Sequence, residues 1–509
     1  MRLFTATLRM MSAHTDSTVL TRRLASRAWI GDTRVQALMA LTAGAALLRF
    51  PTLQTQSYWY DEAITVDLVR RSFEGMLAGV PQSESTPPLY YVVAWVWSQI
   101  FDTSETALRS LSAVIGTATV PATYAAARRF VSTRSALVAA ALVAVSPLLV
   151  WYSQEARAYA LLVLLGALSL VPLQRAAAPR PARSLSAWAL TASLALATHY
   201  FAVFIIAAEA VWLLHRAAER RAAARAVAAV AAVAVALAGL AAYQARYAEH
   251  TAWISKSGGL GGRAAHLLRQ LVVGAYPPEE IRPLVVAVPI VVGVGLVAWV
   301  DRAERPGALL MLGFAAAAIV PPAVLALVGY HFFDGRGDYF IYRNLIVATV
   351  PLTIAAATVL SAPRAGKLGA AAFAVTCALL AAASLEIARR PDLQKPDVRA
   401  VAEISGTGDR LRAIVADVRT AAVLNVYLAD AIDAEEAGVS VQDVDVIGER
   451  GSSVSPVPPP GFRRVSTRTV EGFTVVRLRA PKVRRVLPAT LKRQLRGGTE
   501  FVVLLVPVR

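Results

Sequence analysis

A chain of 509 residues that is 56% hydrophobic, with a mean hydropathy of +0.51 and 17% charged residues, is too apolar for a soluble protein, whose charged share is about 25%. The formal net charge of +18 does not point to nucleic acid, because the arginines stand mostly between apolar blocks, where anchoring to anionic lipid accounts for them. The one cysteine, Cys377, lies in an apolar run, which excludes an intrachain disulfide and leaves it as a small packing residue.

Residues 1–33 are polar and basic, with Arg22, Arg23 and Arg27, and are expected in the cytoplasm. No short apolar run with a small-residue cleavage site stands near the start, so the first span, 34–50, is expected to direct insertion itself. The run "PPLYYVVAWVWSQIF" (87–101) opens on Pro87-Pro88 and carries Tyr90, Tyr91, Trp95 and Trp97, which favour the headgroup level. It is expected to lie in the interface rather than cross, so that 51–108 forms one external loop. Further spans are expected at 109–127, 136–151, 157–174, 185–199, 201–215, 223–243, 284–300, 308–328, 341–360 and 368–386. This scheme puts "ARRFVSTR", "QRAAAPRPAR", "HRAAERRAAAR", "DRAER" and "PRAGK" all inside, as the bias of Lys and Arg toward cytoplasmic loops requires. It predicts a polytopic α-helical membrane protein with about eleven spans over 34–388, its N-terminus inside and its C-terminus outside.

After about 390 the pattern changes. "RLRAIVADV" (410–418), "VSVQDVDVIG" (439–448), "FTVVRLRA" (473–480) and "EFVVLLVPV" (500–508) read as strands, and "RTAAVLNVYLADA" (419–431) as a helix. Residues 449–463 read as loop. The spacing predicts a small external α/β domain over 389–509. No internal repeat supports an inverted-repeat transporter.

Candidate chemical residues gather on the external side. Asp61 and Glu62, in "SYWYDEAITVDL" (57–68), follow the first span. In one reading Asp61 caps a helix and Glu62 sits in its first turn. In the other, one carboxylate takes a proton from a hydroxyl or holds a metal or sugar, and its neighbour orients it, since adjacent acids on a helix point apart. Glu84, in "SESTPPLYY", lines either a surface helix or a substrate cleft. Arg109 opens the second span and needs a partner, either an acid of the loop or a phosphate. In "WYSQEARAYALL" (151–162), Glu155 and Tyr159 share a helix face, and Arg157 is either a rim partner of Glu155 or a ligand group. His199 and Tyr200 occupy a hinge between short spans, where a hydrogen-bonded structural histidine is the plainer reading. Tyr342 and Arg343, in "DYFIYRNLIVATVP", either snorkel to the interface or anchor an anionic head group. The combination of acids, arginines and aromatics at one membrane face would suit a cleft for an anionic lipid head group.

These motifs resemble the GT-C membrane glycosyltransferases, specifically glycosyltransferase family 39 and the ArnT-like group. The likeness covers about 35–390: "WYDEA" after the first span, "PPLYY" in the first loop, "ALRSLSAVIGT" opening the second span, "SPLLVWYSQEARAYALL", and "YRNLIVATVP" near the end. It implies the GT-C fold in a bacterial inner membrane, a polyprenyl-phosphate sugar donor, and a periplasmic site whose first-loop acid falls on Asp61, with Glu62 beside it, and whose second-span arginine falls on Arg109. Where many relatives carry His or Lys before the Pro-Pro, this chain has Thr86, so a charge for lipid phosphate is missing there.

The resemblance implies a mechanism. Arg157 and Arg343 hold the donor phosphate, and Asp61 takes the proton of an acceptor hydroxyl as it attacks the anomeric carbon with inversion. Mannose and arabinose are the sugars it favours; the acceptor is a glycan, lipid or protein. No cofactor is required. A divalent cation, Mg or Mn, at Asp61 and Glu62 stays open, although no His/Cys ligand cluster is present. Two other classes remain in view: a transporter or flippase for a lipid-linked solute, which predicts charges deep in several spans, and a non-catalytic glycan- or lipid-binding scaffold, which predicts tolerance of acid-to-amide changes in the first loop.

Overall fold

The computed structural model describes residues 32–247, 253–254, 259–274, 278, 295, 299–332, 338–406, 410–428, 431–434, 438–448, 454–492 and 501–506. Residues 1–31 of the expected cytoplasmic segment and nearly all of the expected span 284–300 lie outside the described residues.

Helix α1 (Thr33–Arg49) starts at Asp32, whose side chain accepts the Arg34 N–H at 2.8 Å. The first loop folds into three helices: α2 (Tyr60–Arg70), α3 (Phe73–Ser83) and α4 (Leu89–Phe101). The 13 residues of α4 reach only about 20 Å at 1.5 Å per residue, short of a bilayer core of about 30 Å. Its indoles fasten it within the loop: Trp95 Nε1 donates to the Arg71 carbonyl (3.0 Å) and Trp97 Nε1 to the Ala107 carbonyl (2.9 Å) at the start of α5 (Glu105–Ala127).

The expected span 136–151 is broken. Helix α6 (Thr133–Val145) stops, and α7 (Pro147–Tyr152) restarts on Ser146, which caps it. Pro147 has no N–H for the carbonyl of Val143, and the kink frees the carbonyl of Ala144 as well. The wholly buried Arg49 donates to both, at 3.3 and 2.9 Å, while its Nε reaches Ser153 Oγ at 3.1 Å. An arginine at the end of an apolar helix thus completes the hydrogen bonding of the break. Helix α5 passes so close that a Cβ on Gly116 would overlap the Ser153 hydroxyl. Gly116→Ala is therefore expected to destabilise the fold by about 1–3 kcal/mol through overpacking, read as a lower midpoint of thermal unfolding.

The bundle continues through α8 (Tyr159–Ala176), α9 (Ala182–Thr198), α10 (Ala202–Arg216), α11 (Arg220–Gln244), α12 (Leu260–Val273), α13 (Arg305–Phe332), α14 (Thr349–Leu360) and α15 (Gly366–Arg389). By length and composition, four helices among the described residues could cross a membrane: Tyr159–Ala176, Arg220–Tyr247, Arg305–Phe332 and Pro363–Arg389. The other expected spans that fall on described residues are occupied by helices of 17 residues or fewer, except 109–127, which lies within the 23-residue α5. Glu209 of α10 is fully buried and ties three helices, accepting from Ser169 Oγ (2.8 Å) and Trp188 Nε1 (2.9 Å). The expected span 341–360 begins late. Residues 342–345 form a turn in which the Asn344 side chain donates to the Tyr339 carbonyl (2.9 Å), competing with helical bonding, and α14 follows a short 3₁₀ turn.

The C-terminal part is an α/β domain. Helix α16 (Val398–Gly406) precedes β1 (Arg412–Asp417), α17 (Val418–Tyr427), β2 (Ile432–Asp433), β3 (Val439–Gly448), β4 (Arg463–Val470), β5 (Phe473–Val486), α18 (Pro488–Lys492) and β6 (Phe501–Val506). The sheet order is β2-β6-β1-β3-β5-β4, with β1 and β3 parallel and the other pairs antiparallel. The apolar β1 and most of β3 are buried, as central strands should be. Asp443 and Asp445 of β3 lie opposite Arg479 and Arg477 of β5 and form a bidentate pair with each.

Candidate active site

Trp59, in extended conformation, precedes α2 without a capping side chain, so Asp61 is not the cap and both acids fall in the first turn. Successive helical residues point about 100° apart, and the two carboxylates diverge accordingly. Glu62 turns inward. Its oxygens accept Arg109 Nε (2.8 Å) and Nη2 (2.6 Å), and Oε1 also accepts the Ala156 N–H (2.8 Å). The other three N–H groups of Arg109 go to the carbonyls of Leu53, Gln56 and Ser57 at 2.7–2.9 Å. All five guanidinium donors are therefore used. Burial alone would raise the Glu62 pKa, but the charge and hydrogen bonds of Arg109 outweigh it and hold this carboxyl below its usual range. Glu62 and Arg109 are both buried, hold each other and shape the loop.

Arg157 is committed in the same way. It grips Glu84 with both Nη atoms (2.5 and 2.8 Å), and its Nη1 also reaches the Asp61 carbonyl (3.0 Å) and Thr65 Oγ1 (3.2 Å). The pair fixes the corner before Pro87-Pro88 and supports the first turn of α2 from behind. Expected as a phosphate holder, Arg157 is charge-balanced inside the protein.

Asp61 differs. Its Oδ2 accepts Arg343 Nη1 at 3.0 Å, and the two side chains remain 17% and 15% exposed. Arg343 sits among aromatic faces, with its guanidinium 4.8 Å from the Trp253 ring and 5.9 Å from those of Trp59 and Tyr159. Tyr152 stacks obliquely on Tyr159 (4.7 Å) and faces Tyr342 (6.3 Å), and His199 lies against Tyr159 (5.8 Å). Tyr159, His199 and Tyr342 thus form a linked aromatic set with Tyr152, which joins Asp61 through Arg343. The His199 Nδ1 accepts the Phe201 N–H (3.2 Å) at the start of α10. Tyr200 turns away and donates to Gln244 Oε1 (2.6 Å), and the Gln244 amide reaches the Thr86 carbonyl (3.1 Å).

Sequence reasoning missed Trp59, Trp253 and Lys395. Lys395 stands between α15 and α16. Its ammonium bonds Glu155 Oε1 and lies 3.6 Å from the Trp59 ring centroid. Trp151 Nε1 donates to the same Glu155 oxygen at 2.7 Å. Burial pushes the Glu155 carboxyl above its usual range, with Lys395 opposing, and pushes the Lys395 ammonium below its own. Three buried polar atoms in this region lack a hydrogen-bond partner: Trp59 Nε1, Arg343 Nε and Glu155 Oε2. Two free donors and a free acceptor around one indole are what a cleft for a polar ligand leaves open. Among the described residues no group of three or more His, Cys, Asp or Glu is placed to hold a metal ion.

The resemblance seen in the motifs is borne out. Residues 85–243 match the family described as dolichyl-phosphate-mannose-protein mannosyltransferase. The fold is that of ArnT from Cupriavidus metallidurans: in its apo state the match has a TM-score of 0.52 at 14% identity and covers 89% of this chain and 98% of that one. The same enzyme bound to undecaprenyl phosphate matches at a TM-score of 0.45 and 17% identity, over 67% of this chain and 63% of that one. The S. cerevisiae protein O-mannosyltransferase Pmt1-Pmt2 complex bound to the sugar donor matches at 0.33 and 17%, over 43% and 33%. No curated protein sequence matches the chain.

Proposed function

We propose that this chain, a GT-C-fold membrane glycosyltransferase, moves a sugar from a polyprenyl-phosphate donor to a hydroxyl of a glycan, lipid or protein acceptor, with Asp61 as the general base. Mannose is favoured by the family matched over 85–243, with arabinose next. The observation that carries the reading is the contrast among the first-loop acids. Glu62 and Glu84 are each locked to an arginine, whereas Asp61 is held by one oxygen only, stays partly exposed, and lies beside Arg343, whose Nε has no partner.

In this mechanism the lipid tail lies in the bilayer and the donor phosphate meets Arg343, whose Nε is free and whose guanidinium is set among aromatic faces. Asp61 receives the acceptor proton as the oxygen attacks the anomeric carbon. The new C–O bond forms as the bond to the phosphate oxygen breaks, and the lipid phosphate leaves with the electron pair beside Arg343. One displacement inverts the anomeric centre. The first-loop side of the bundle is the extracytoplasmic face of a bacterial inner membrane in this reading. No cofactor enters the scheme. Asp61 would be the first-loop carboxylate to meet a divalent cation, since Glu62 is fully buried against Arg109.

Membranes containing the chain, incubated with radiolabelled polyprenyl-phosphate mannose or arabinose, should transfer label to an acceptor fraction, with an anomeric configuration opposite to that of the donor. Movement of the labelled lipid between leaflets without transfer would support the flippase reading and remove this one.

A further inference from the structure

Lys395 is the charged group at the cleft for which the scheme above has no task. It belongs to the short connection between α15 and α16, and that connection is strapped to the stretch leading into α2. The Lys395 N–H donates to Gln56 Oε1 (3.3 Å), the Ser57 hydroxyl donates to the Pro396 carbonyl (3.1 Å), and the Val398 N–H donates to Ser57 Oγ (3.0 Å). Gln394, one residue earlier, donates to the carbonyls of Ile387 and Ala388 at the end of α15 (3.1 and 2.7 Å). The backbone on both sides is fixed, so the Lys395 side chain is delivered to Trp59 and Glu155 rather than left to wander.

Two features separate this corner from the phosphate-facing arginine. Lys395 is charge-balanced by Glu155, so the corner adds no net positive field. Its unused groups are also of mixed kind: Glu155 Oε2 is a buried acceptor with no partner, and Trp59 Nε1 a buried donor with none. A phosphate needs donors alone. A carboxylate oxygen and an indole N–H, on two residues that the Lys395 ammonium touches together, match the donor-and-acceptor hydroxyls of a sugar.

We propose that Lys395 is a positioning residue for the sugar end of the donor: it aims Glu155 and Trp59 so that they form a subsite for the hydroxyl groups of the transferred sugar. The inference rests on the glycosyltransferase reading above and extends it, because the connection into the C-terminal domain then supplies part of the donor site.

The test compares binding of bare undecaprenyl phosphate and of the sugar-bearing donor to purified wild type, Lys395→Met, Lys395→Arg and Glu155→Gln, together with KM and kcat for transfer. In wild type the sugar is expected to add affinity. Lys395→Met and Glu155→Gln should each erase about tenfold of that increment, as loss of one charged hydrogen bond would, while leaving the affinity for bare lipid phosphate unchanged. The KM for donor should rise more than kcat falls, and Lys395→Arg should recover part of the loss. An unchanged increment in folded Lys395→Met overturns the inference, as does an equal loss of affinity for the bare lipid phosphate. Should Lys395→Met not fold, Glu155→Gln decides by the same comparison. Absence of transfer by wild type would instead sink the glycosyltransferase reading, with the sugar increment still measured.

Discussion

Asp61→Asn is expected to lower sugar transfer by about 10²–10⁴-fold, the usual worth of a positioned general base, while the protein stays folded. The amide matches the carboxylate in shape and removes the proton acceptor. Little else hangs on the charge. Asp61 accepts one hydrogen bond, from Arg343, and both side chains keep some exposure, so water can take over that partner at small cost. The check is a transfer assay on purified variant beside a thermal unfolding curve. Wild-type turnover by a folded Asp61→Asn protein would take this residue out of the mechanism and favour the scaffold reading.

The neighbouring substitution should act on the opposite quantity. Glu62→Gln is expected to destabilise the protein by about 3–5 kcal/mol, because it leaves the buried Arg109 guanidinium without its counter-charge. The amide nitrogen would also face an arginine N–H, donor against donor. Replacing both members by methionine should not restore stability, since Arg109 also satisfies the carbonyls of Leu53, Gln56 and Ser57. The pH dependence has a definite sign. Arg109 holds the folded-state pKa of Glu62 below the unfolded value of about 4.3. The stabilisation is therefore fully present above that unfolded value and is lost as pH falls through the lower folded one. Wild type should lose stability more steeply in acid than Glu62→Gln does, a difference that unfolding midpoints measured from neutral pH downward would expose.

Adjacent carboxylates with such different consequences mark the boundary of what the sequence disclosed. The pair "DE" after the first apolar helix was legible as a chemical candidate, and the helical period already implied that the two would part. Which of them turns inward depends on partners 47 and 282 residues away, Arg109 and Arg343, and no local pattern encodes such distances. The apolar helices were readable because apolar runs announce themselves. The break at Ser146-Pro147 was written in its proline but hidden inside a continuous apolar stretch. Strands β1, β3 and β6 showed in their buried apolar runs, whereas β4, "RRVSTRTV", is largely exposed and carries no such pattern. Lys395 gave no signal at all: a lysine before a proline in a polar connection has the appearance of solvent-facing punctuation, and only its backbone anchors deliver it to Trp59.

The seam between the two parts of the chain also limits how they can be separated. The phenol of Tyr427, on α17, receives the Tyr58 N–H at 2.6 Å immediately before Trp59, and donates to Glu105, which Arg399 also holds at 2.5 Å. The C-terminal domain is thus no detachable module. Truncation after α15 would strip hydrogen bonds from the segment that leads into α2 and Asp61, and a chimera carrying a foreign tail would need to bring its own equivalent of that phenol.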